Sequence, residues 1–281
     1  MISVKQLFVR SSILFGLLTV CSSAPLPNPY GIYATSISIG PGAGSGFIIQ
    51  ASNSVYLITA RHVLFNPDQN WGLRDAHATC TTHTPDQKTV TFTLDLGALV
   101  QSQNIRFSTN HDVALVRFEE CNPINKNLVR NLAEVSFQTT NTALWPLDAA
   151  QPSQHLSFDQ TEVGTDVFIF GYPISVGIPT MPQIDFSMPL LRKGIVAGKN
   201  YDRRVYVLDC PSYEGNSGGP VIGKISAFPN DAFFVIGIVT ETVPYGELWI
   251  NAQHHYANEN LSNSGYSIAE PIDTVLDSVW Q

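Results

Sequence analysis

The stretch Glu214–Gly219, EGNSGG, sets one hydroxyl, Ser217, among three glycines, Gly215, Gly218 and Gly219. Glycine loses more freedom on ordering than any other residue, so such a cluster weakens helix and strand alike. It belongs where the backbone must bend tightly and aim its N–H groups at something. A serine hydroxyl is a weak nucleophile until a base takes its proton. Its attack on a carbonyl also creates an oxyanion, which needs donors aimed at it. Glycines beside a reactive serine meet that need, because they let N–H groups converge. The bland alternative is a simple turn, and the rest of the chain decides between the two.

Two other places carry matching chemistry. In LITARHVL, Leu57 to Leu64, His62 follows an apolar strand-like run. A lone histidine there is more often structural, yet histidine is the side chain best suited to move a proton near neutral pH. In NHDVALVRF, Asn110 to Phe118, Asp112 opens an apolar run. Alone it reads as a strand-start acid. A partly buried carboxylate can also hold an imidazole in one tautomer and stabilise its charged form.

The order His62, Asp112, Ser217 is that of chymotrypsin, and not that of subtilisin or the α/β-hydrolases. GSGFII, YLITARHVL, DVALV and GNSGGPVIG together resemble the blocks of trypsin-like (chymotrypsin-fold) serine proteases, closest to bacterial members with a GNSGGP block. The resemblance covers about residues 31 to 280. It implies an all-β fold of two antiparallel six-stranded barrels with a C-terminal helix and a catalytic cleft between the barrels. Ser217 would be the nucleophile, His62 the general base and then acid, and Asp112 the residue orienting His62. The N–H groups of Gly215 and Ser217 would form the oxyanion hole. Animal members carry an aspartate before the nucleophile, which pairs with a new N-terminus. Here that position is Asn216, so activation by insertion of a new N-terminus is not expected. On the same alignment Pro211 stands where the trypsin branch has its pocket acid. Thr240 falls near the scissile bond. Thr242 takes the place of a glycine in broad pockets, and Val239 that of a histidine in glutamate-specific members. This implies a small or medium uncharged P1 residue. The rivals to an active peptidase are a silent protease-fold binding module and an esterase using the same triad.

The strand pattern agrees with such a fold. SGFIIQ (45–50), SVYLITA (54–60), TVTFTLDL (89–96), DVALVRF (112–118), DVFIFGY (166–172), RRVYVLD (203–209), GPVIG (219–223) and AFFVIGIVT (232–240) are short, rich in β-branched and aromatic residues, and bounded by turn formers. They fall into a first barrel of about 31–120 and a second of about 159–268, joined by a polar connection of about 121–158. A terminal helix is expected over about 270–281, with Pro271 in its first turn. The peptidase domain then spans 25–281.

Residues 1–24 read as an export signal: Lys5 and Arg10, the apolar run Ile13 to Val20, then small residues. That run is too short to span a bilayer. The chain is therefore expected to be secreted or periplasmic. LTVC also resembles a lipobox, which would make Cys21 a lipid anchor. The net charge is −8, without a basic cluster, which argues against nucleic acid as a partner. The expected partner is a protein or peptide substrate, and the chain is expected to be monomeric. Cys80, Cys121 and Cys210 leave either a Cys80–Cys121 bridge or three buried thiols open. HATCTTH (77–83) lacks structural zinc spacing and reads as a polar loop, and the adjacent His254 and His255 read as part of a polar tail. GPGAGSG (40–46) lacks the Lys-Ser/Thr of a phosphate loop and reads as a turn before a strand. Asp95, Glu119 and Glu120 read as solvated charges. No cofactor and no metal are expected.

Overall fold

The computed structural model describes residues 34–280, apart from 52–53, 85–87, 122–127, 139–146, 149–153, 175–180, 227–230, 252 and 254–255. The export-like segment, Cys21, His254 and His255 lie outside the described residues. The chain runs through β1 (Ala34–Ile39), β2 (Gly42–Ala51), β3 (Ser54–Thr59), the helical turn α1 (Arg61–Leu64), the short β4 (Phe65–Asn66) and β5 (Gly72–Leu73), β6 (His77–His83), β7 (Thr89–Asp95), α2 (Leu96–Gln101), β8 (Ile105–Phe107) and β9 (Ala114–Cys121). After β10 (Leu128–Asn131), β11 (Val135–Phe137) and β12 (Leu147–Asp148) come β13 (Asp166–Gly171), β14 (Leu190–Asn200), β15 (Val205–Asp209), β16 (Pro220–Ile225), β17 (Ala232–Asn251), β18 (Tyr256–Pro271) and α3 (Ile272–Trp280).

The protein is mostly β, as expected, with a C-terminal helix. The second barrel is closed by six strands in the order β13-β14-β15-β18-β17-β16. The first is built from more pieces: β10-β9-β3-β2-β1-β6-β7-β11, with β8 beside β9 and β12 beside β2. Helix α2 accounts for one of the breaks. The carboxylate of Asp95 accepts the Ala98 N–H at 2.9 Å and caps LGALV as a helix, which separates β7 from β8. Asp95 is thus a cap as well as a partly solvated charge.

Uninterrupted apolar runs mark strands buried on both faces. Ile48 of β2 points into the first barrel's core with Leu57, Phe92 and Val116, whereas Phe47 and Ile49 belong to a second cluster between the barrels. In β13, Val167 and Ile169 line the second barrel's core, and Phe168 and Phe170 face the first barrel. Val275 and Leu276 of α3 join the middle cluster. The barrels are therefore seated on each other through a continuous apolar layer, and each large side chain buried there contributes roughly 1.5–3 kcal/mol.

Three segments depart from the expectations. HATCTTH is strand β6, with Ala78, Cys80 and Thr82 turned inward, so its alternation was structural. Cys80 and Cys210 are free, buried thiols, which rules out a Cys80–Cys121 bridge. Burial pushes the Cys210 thiol up to about 11. The region read as a polar tail is a long hairpin in which β17 and β18 pair from Gly237↔Pro271 out to Asn251↔Tyr256. Strand β18 includes Pro271, and the helix starts one residue later at Ile272. Among the described residues no helix is long and apolar enough to cross a membrane.

Candidate active site

Antiparallel pairing of β3 with β9 matches Thr59 with Ala114. The end of β3 and the start of β9 therefore share one sheet edge. His62, three residues past Thr59, meets Asp112, two residues before Ala114. The Nδ1 of His62 lies 2.5 Å from Oδ2 of Asp112, and the His62 backbone N–H donates to Oδ1 at 2.9 Å. Both side chains keep roughly a third of their surface exposed, 31% and 28%. With Nδ1–H given to the carboxylate, Nε2 is the ring nitrogen left to accept a proton. Two arginines frame the turn. Arg74 Nε donates to the His62 carbonyl at 2.7 Å. Arg61 stacks on Trp71 and Phe107, with burial lowering its pKa against the pull of Asp112.

Ser217 reaches the same cleft from the turn between β15 and β16. The cleft holds about 1150 Å³ and is lined by His62, Asp112, Ser217, Thr240 and Thr242, among others. Ser217 makes no side-chain hydrogen bond to His62. Its backbone is tied down: Ser45 N–H donates to the Ser217 carbonyl at 2.8 Å, and Gly218 N–H to the Val239 carbonyl at 2.6 Å.

The glycines of the opening stretch are required. Gly215 has φ +92°, and a Cβ there would lie 2.3 Å from the Tyr172 carbonyl oxygen. Gly218 has φ +86°, and a Cβ would lie 2.1 Å from the Ser45 carbonyl oxygen. Donors alternate along the turn. Asn216 N–H is bound to the Tyr213 carbonyl and Gly219 N–H to the Asn216 carbonyl, both at 2.9 Å. The N–H groups of Gly215 and Ser217 donate to no group among the described residues. The Glu214 carbonyl accepts from Ile174 N–H at 2.9 Å, which turns the Gly215 N–H of the same peptide the opposite way.

The four residues read as substrate contacts separate into two pairs. Thr240 and Thr242 line the cleft. Val239 is 1% exposed in the second barrel's core, and neither it nor Pro211 lines that cleft. The hydroxyls of Ser212 and Thr242 are 2.8 Å apart and tie the segment before the nucleophile to β17.

Residues 44–225 match the family model of the trypsin-like peptidase domain. The chain belongs to that family. No curated protein sequence matches it. Among solved structures, the chain is similar to Deg5, with 16% identity, 88% of this chain and 87% of that one covered, and a TM-score of 0.48. It is similar to the HtrA-type protease AlgW with tripeptide, with 15% identity, 89% and 60% covered, and a TM-score of 0.45. For the inactive form of the Rv3671c protease, a protein of M. tuberculosis H37Rv, identity is 14%, coverage 90% and 89%, and the TM-score 0.44.

Three further residues of this family member stand at the site without having been singled out in the sequence. Ser45 is fully buried, accepts from Tyr172 N–H at 2.9 Å and donates to the Gly215 carbonyl at 2.7 Å. His111 and Glu270 border Asp112. Ser45 sits in the glycine-rich stretch that reads as a turn, where its partners are far away in sequence. Glu270 had no sequence signal at all. Among the described residues no cluster of ligands could hold a metal ion.

Proposed function

We propose that the protein is a serine endopeptidase that cleaves peptide bonds through an acyl-enzyme on Ser217. His62 takes the Ser217 proton and returns it to the leaving amine. Asp112 holds the imidazole and stabilises its charged form. The free N–H groups of Gly215 and Ser217 receive the oxyanion. Water then repeats the sequence on the acyl group and releases Ser217. The observation that carries this reading is the 2.5 Å His62–Asp112 contact in a cleft that also exposes Ser217. Peptidase family membership supports it.

The P1 residue is small or medium and uncharged. Supporting this, Thr242 fills the place of a glycine and its hydroxyl is already joined to Ser212, which narrows the approach beside β17. The enzyme works as a monomer outside the cytoplasm, secreted or periplasmic, with a lipid anchor at Cys21 as the alternative. The sequence of residues 1–24 supports export.

The test is labelling of the purified protein, truncated before residue 31, with a fluorophosphonate probe. Wild type is labelled, whereas Ser217→Ala and His62→Ala are not. A folded wild type that resists the probe would defeat the proposal. A peptide library then reads P1: preference for alanine or valine is expected, and preference for lysine or arginine would refute the pocket reading.

A further inference from the structure

Beside the triad acid stands a second histidine–carboxylate pair. His111 Nδ1 lies 2.9 Å from Oε2 of Glu270. The Glu270 side chain is only 8% exposed and that of His111 25%. The two come from different barrels. His111 belongs, like Asp112, to the loop that precedes β9. Glu270 lies near the end of β18, paired with Ile238 of β17. The Asp112 backbone lies on the side of the same carboxylate and favours its charged form, against the desolvation that raises its pKa. Glu270 thus holds His111, the residue next to Asp112, by its ring.

Residues Ser108 to Val113 lie outside the strands. Within the first barrel Arg61 donates to the Ser108 carbonyl at 3.2 Å and His62 meets the Asp112 carboxylate. Bonds within the loop are local: Val113 N–H to the His111 carbonyl, Ser108 N–H to the Val113 carbonyl, and the N–H groups of Asn110 and His111 to the Ser108 hydroxyl. Across the barrel interface, Glu270 supplies the anchor. A buried carboxylate is costly, and burial raises the Glu270 pKa. Well-packed apolar residues in place of a buried ion pair are often neutral for stability or better. Stability alone therefore gives no reason for an acid here, at the rim of the cleft that holds His62 and Ser217.

We propose that the His111–Glu270 pair positions Asp112: it fastens the loop carrying the triad acid to the second barrel and thereby sets the His62 imidazole against Ser217. This inference rests on the triad reading above. The pair acts through Asp112. Its contribution therefore falls on kcat and leaves KM almost alone, because a small misplacement of a catalytic group can cost up to about a hundredfold in rate.

The experiment compares wild type, Glu270→Ala, Glu270→Gln and His111→Ala on a fluorogenic peptide with alanine at P1. Rates are divided by the number of sites that fluorophosphonate labels, so misfolded protein does not count. Glu270→Ala is expected to lower kcat per site roughly 10- to 100-fold with KM within about twofold. Glu270→Gln keeps an acceptor oxygen and is expected to recover most of kcat. His111→Ala is expected to fall between them, and it carries the test should Glu270→Ala not fold. A kcat in Glu270→Ala or, failing its expression, His111→Ala within about twofold of wild type would overturn the inference and leave the protease reading intact. So would a Glu270→Gln enzyme as slow as the alanine variant. A folded wild type that neither cleaves nor labels would overturn the triad reading, and this inference with it.

Discussion

The Ser45 hydroxyl donates to the carbonyl of Gly215 at 2.7 Å, although the two residues are 170 positions apart. The same oxygen accepts from Tyr172 N–H at 2.9 Å, and Ser45 N–H holds the Ser217 carbonyl at 2.8 Å. A residue of the first barrel therefore fixes the backbone on both sides of Asn216 in the second. Ser45→Ala leaves a buried carbonyl and a buried N–H without a partner. Each such group costs about 1–3 kcal/mol. The thermal midpoint should fall, and kcat should fall roughly tenfold or more as the Gly215 N–H loses its fixed direction. KM should change little. Steady-state kinetics beside thermal unfolding reads both. An unchanged kcat at a lowered midpoint would mean that Ser45 holds only the fold.

Gly218 offers a steric test of the same turn. Its φ is +86°, and an added Cβ would meet the Ser45 carbonyl oxygen at 2.1 Å, Thr59 Oγ1 at 2.3 Å and Ala60 N at 2.8 Å. Two of these atoms are backbone and cannot swing aside. Gly218→Ala is therefore expected to lose activity and stability together, by more than the ~1–3 kcal/mol of a strained backbone conformation alone. Gly164, with φ +91° and nothing within 4 Å of an added Cβ, is the control. Gly164→Ala pays only the backbone strain and should keep its activity. Urea titration and peptide turnover separate the two variants.

The fold was legible where burial is two-sided. DVFIFGY and SGFIIQ are unbroken apolar runs because one face of each strand serves a barrel core and the other the layer between barrels. HATCTTH hid its strand because the inward residues are Ala78, Cys80 and Thr82, small enough for a polar sequence to cover a buried face. The β17–β18 hairpin hid for the opposite reason: Leu248, Trp249 and Leu261 are well exposed, so its outer part has no buried face to impose a period on the sequence. At the candidate site, His62, Asp112 and Ser217, which line one cleft, were legible because the chemistry proposed for them demands particular side chains in a particular order. Ser45, His111 and Glu270 were not, since each works by a contact over a long sequence distance and any small or polar residue looks the same locally.

His83 gives the fold a pH dependence. It is 3% exposed, with Nδ1 3.5 Å from the Tyr172 hydroxyl, and burial lowers its pKa below the ordinary 6.5 despite the opposing charge of Asp185. The unfolded chain therefore takes up a proton here at a higher pH than the native protein does. Above about 6.5 both states are neutral at this site and stability is unaffected. As pH falls through that value the unfolded state gains, and native stability declines until the folded value is passed. Urea unfolding at pH 7.5 and 5.5 should show the loss, and His83→Gln should shrink the difference between the two. An equal difference in the variant would assign the acid lability to other groups.

Asn216 offers a test of how the proposed site is held ready. It is 2% exposed, and its Oδ1 has no partner among the described residues. Family members that activate by inserting a new N-terminus carry an aspartate at this position, so the amide here leaves no charge to pair with an incoming ammonium. Asn216→Asp would bury a carboxylate beside Gly171. Without a cation that costs several kcal/mol, or the group takes up a proton instead. The variant is therefore expected to be clearly less stable at pH 8 than wild type and to recover part of the difference as pH falls towards 5. Turnover of the truncated wild type should be the same whether the chain starts at residue 25 or at 31, because no particular N-terminus is needed. Thermal midpoints across that pH range and turnover by the two truncations settle the matter. An Asn216→Asp enzyme that is as stable as wild type at pH 8, and active from only one of the two starts, would mean that a terminal ammonium does reach this site.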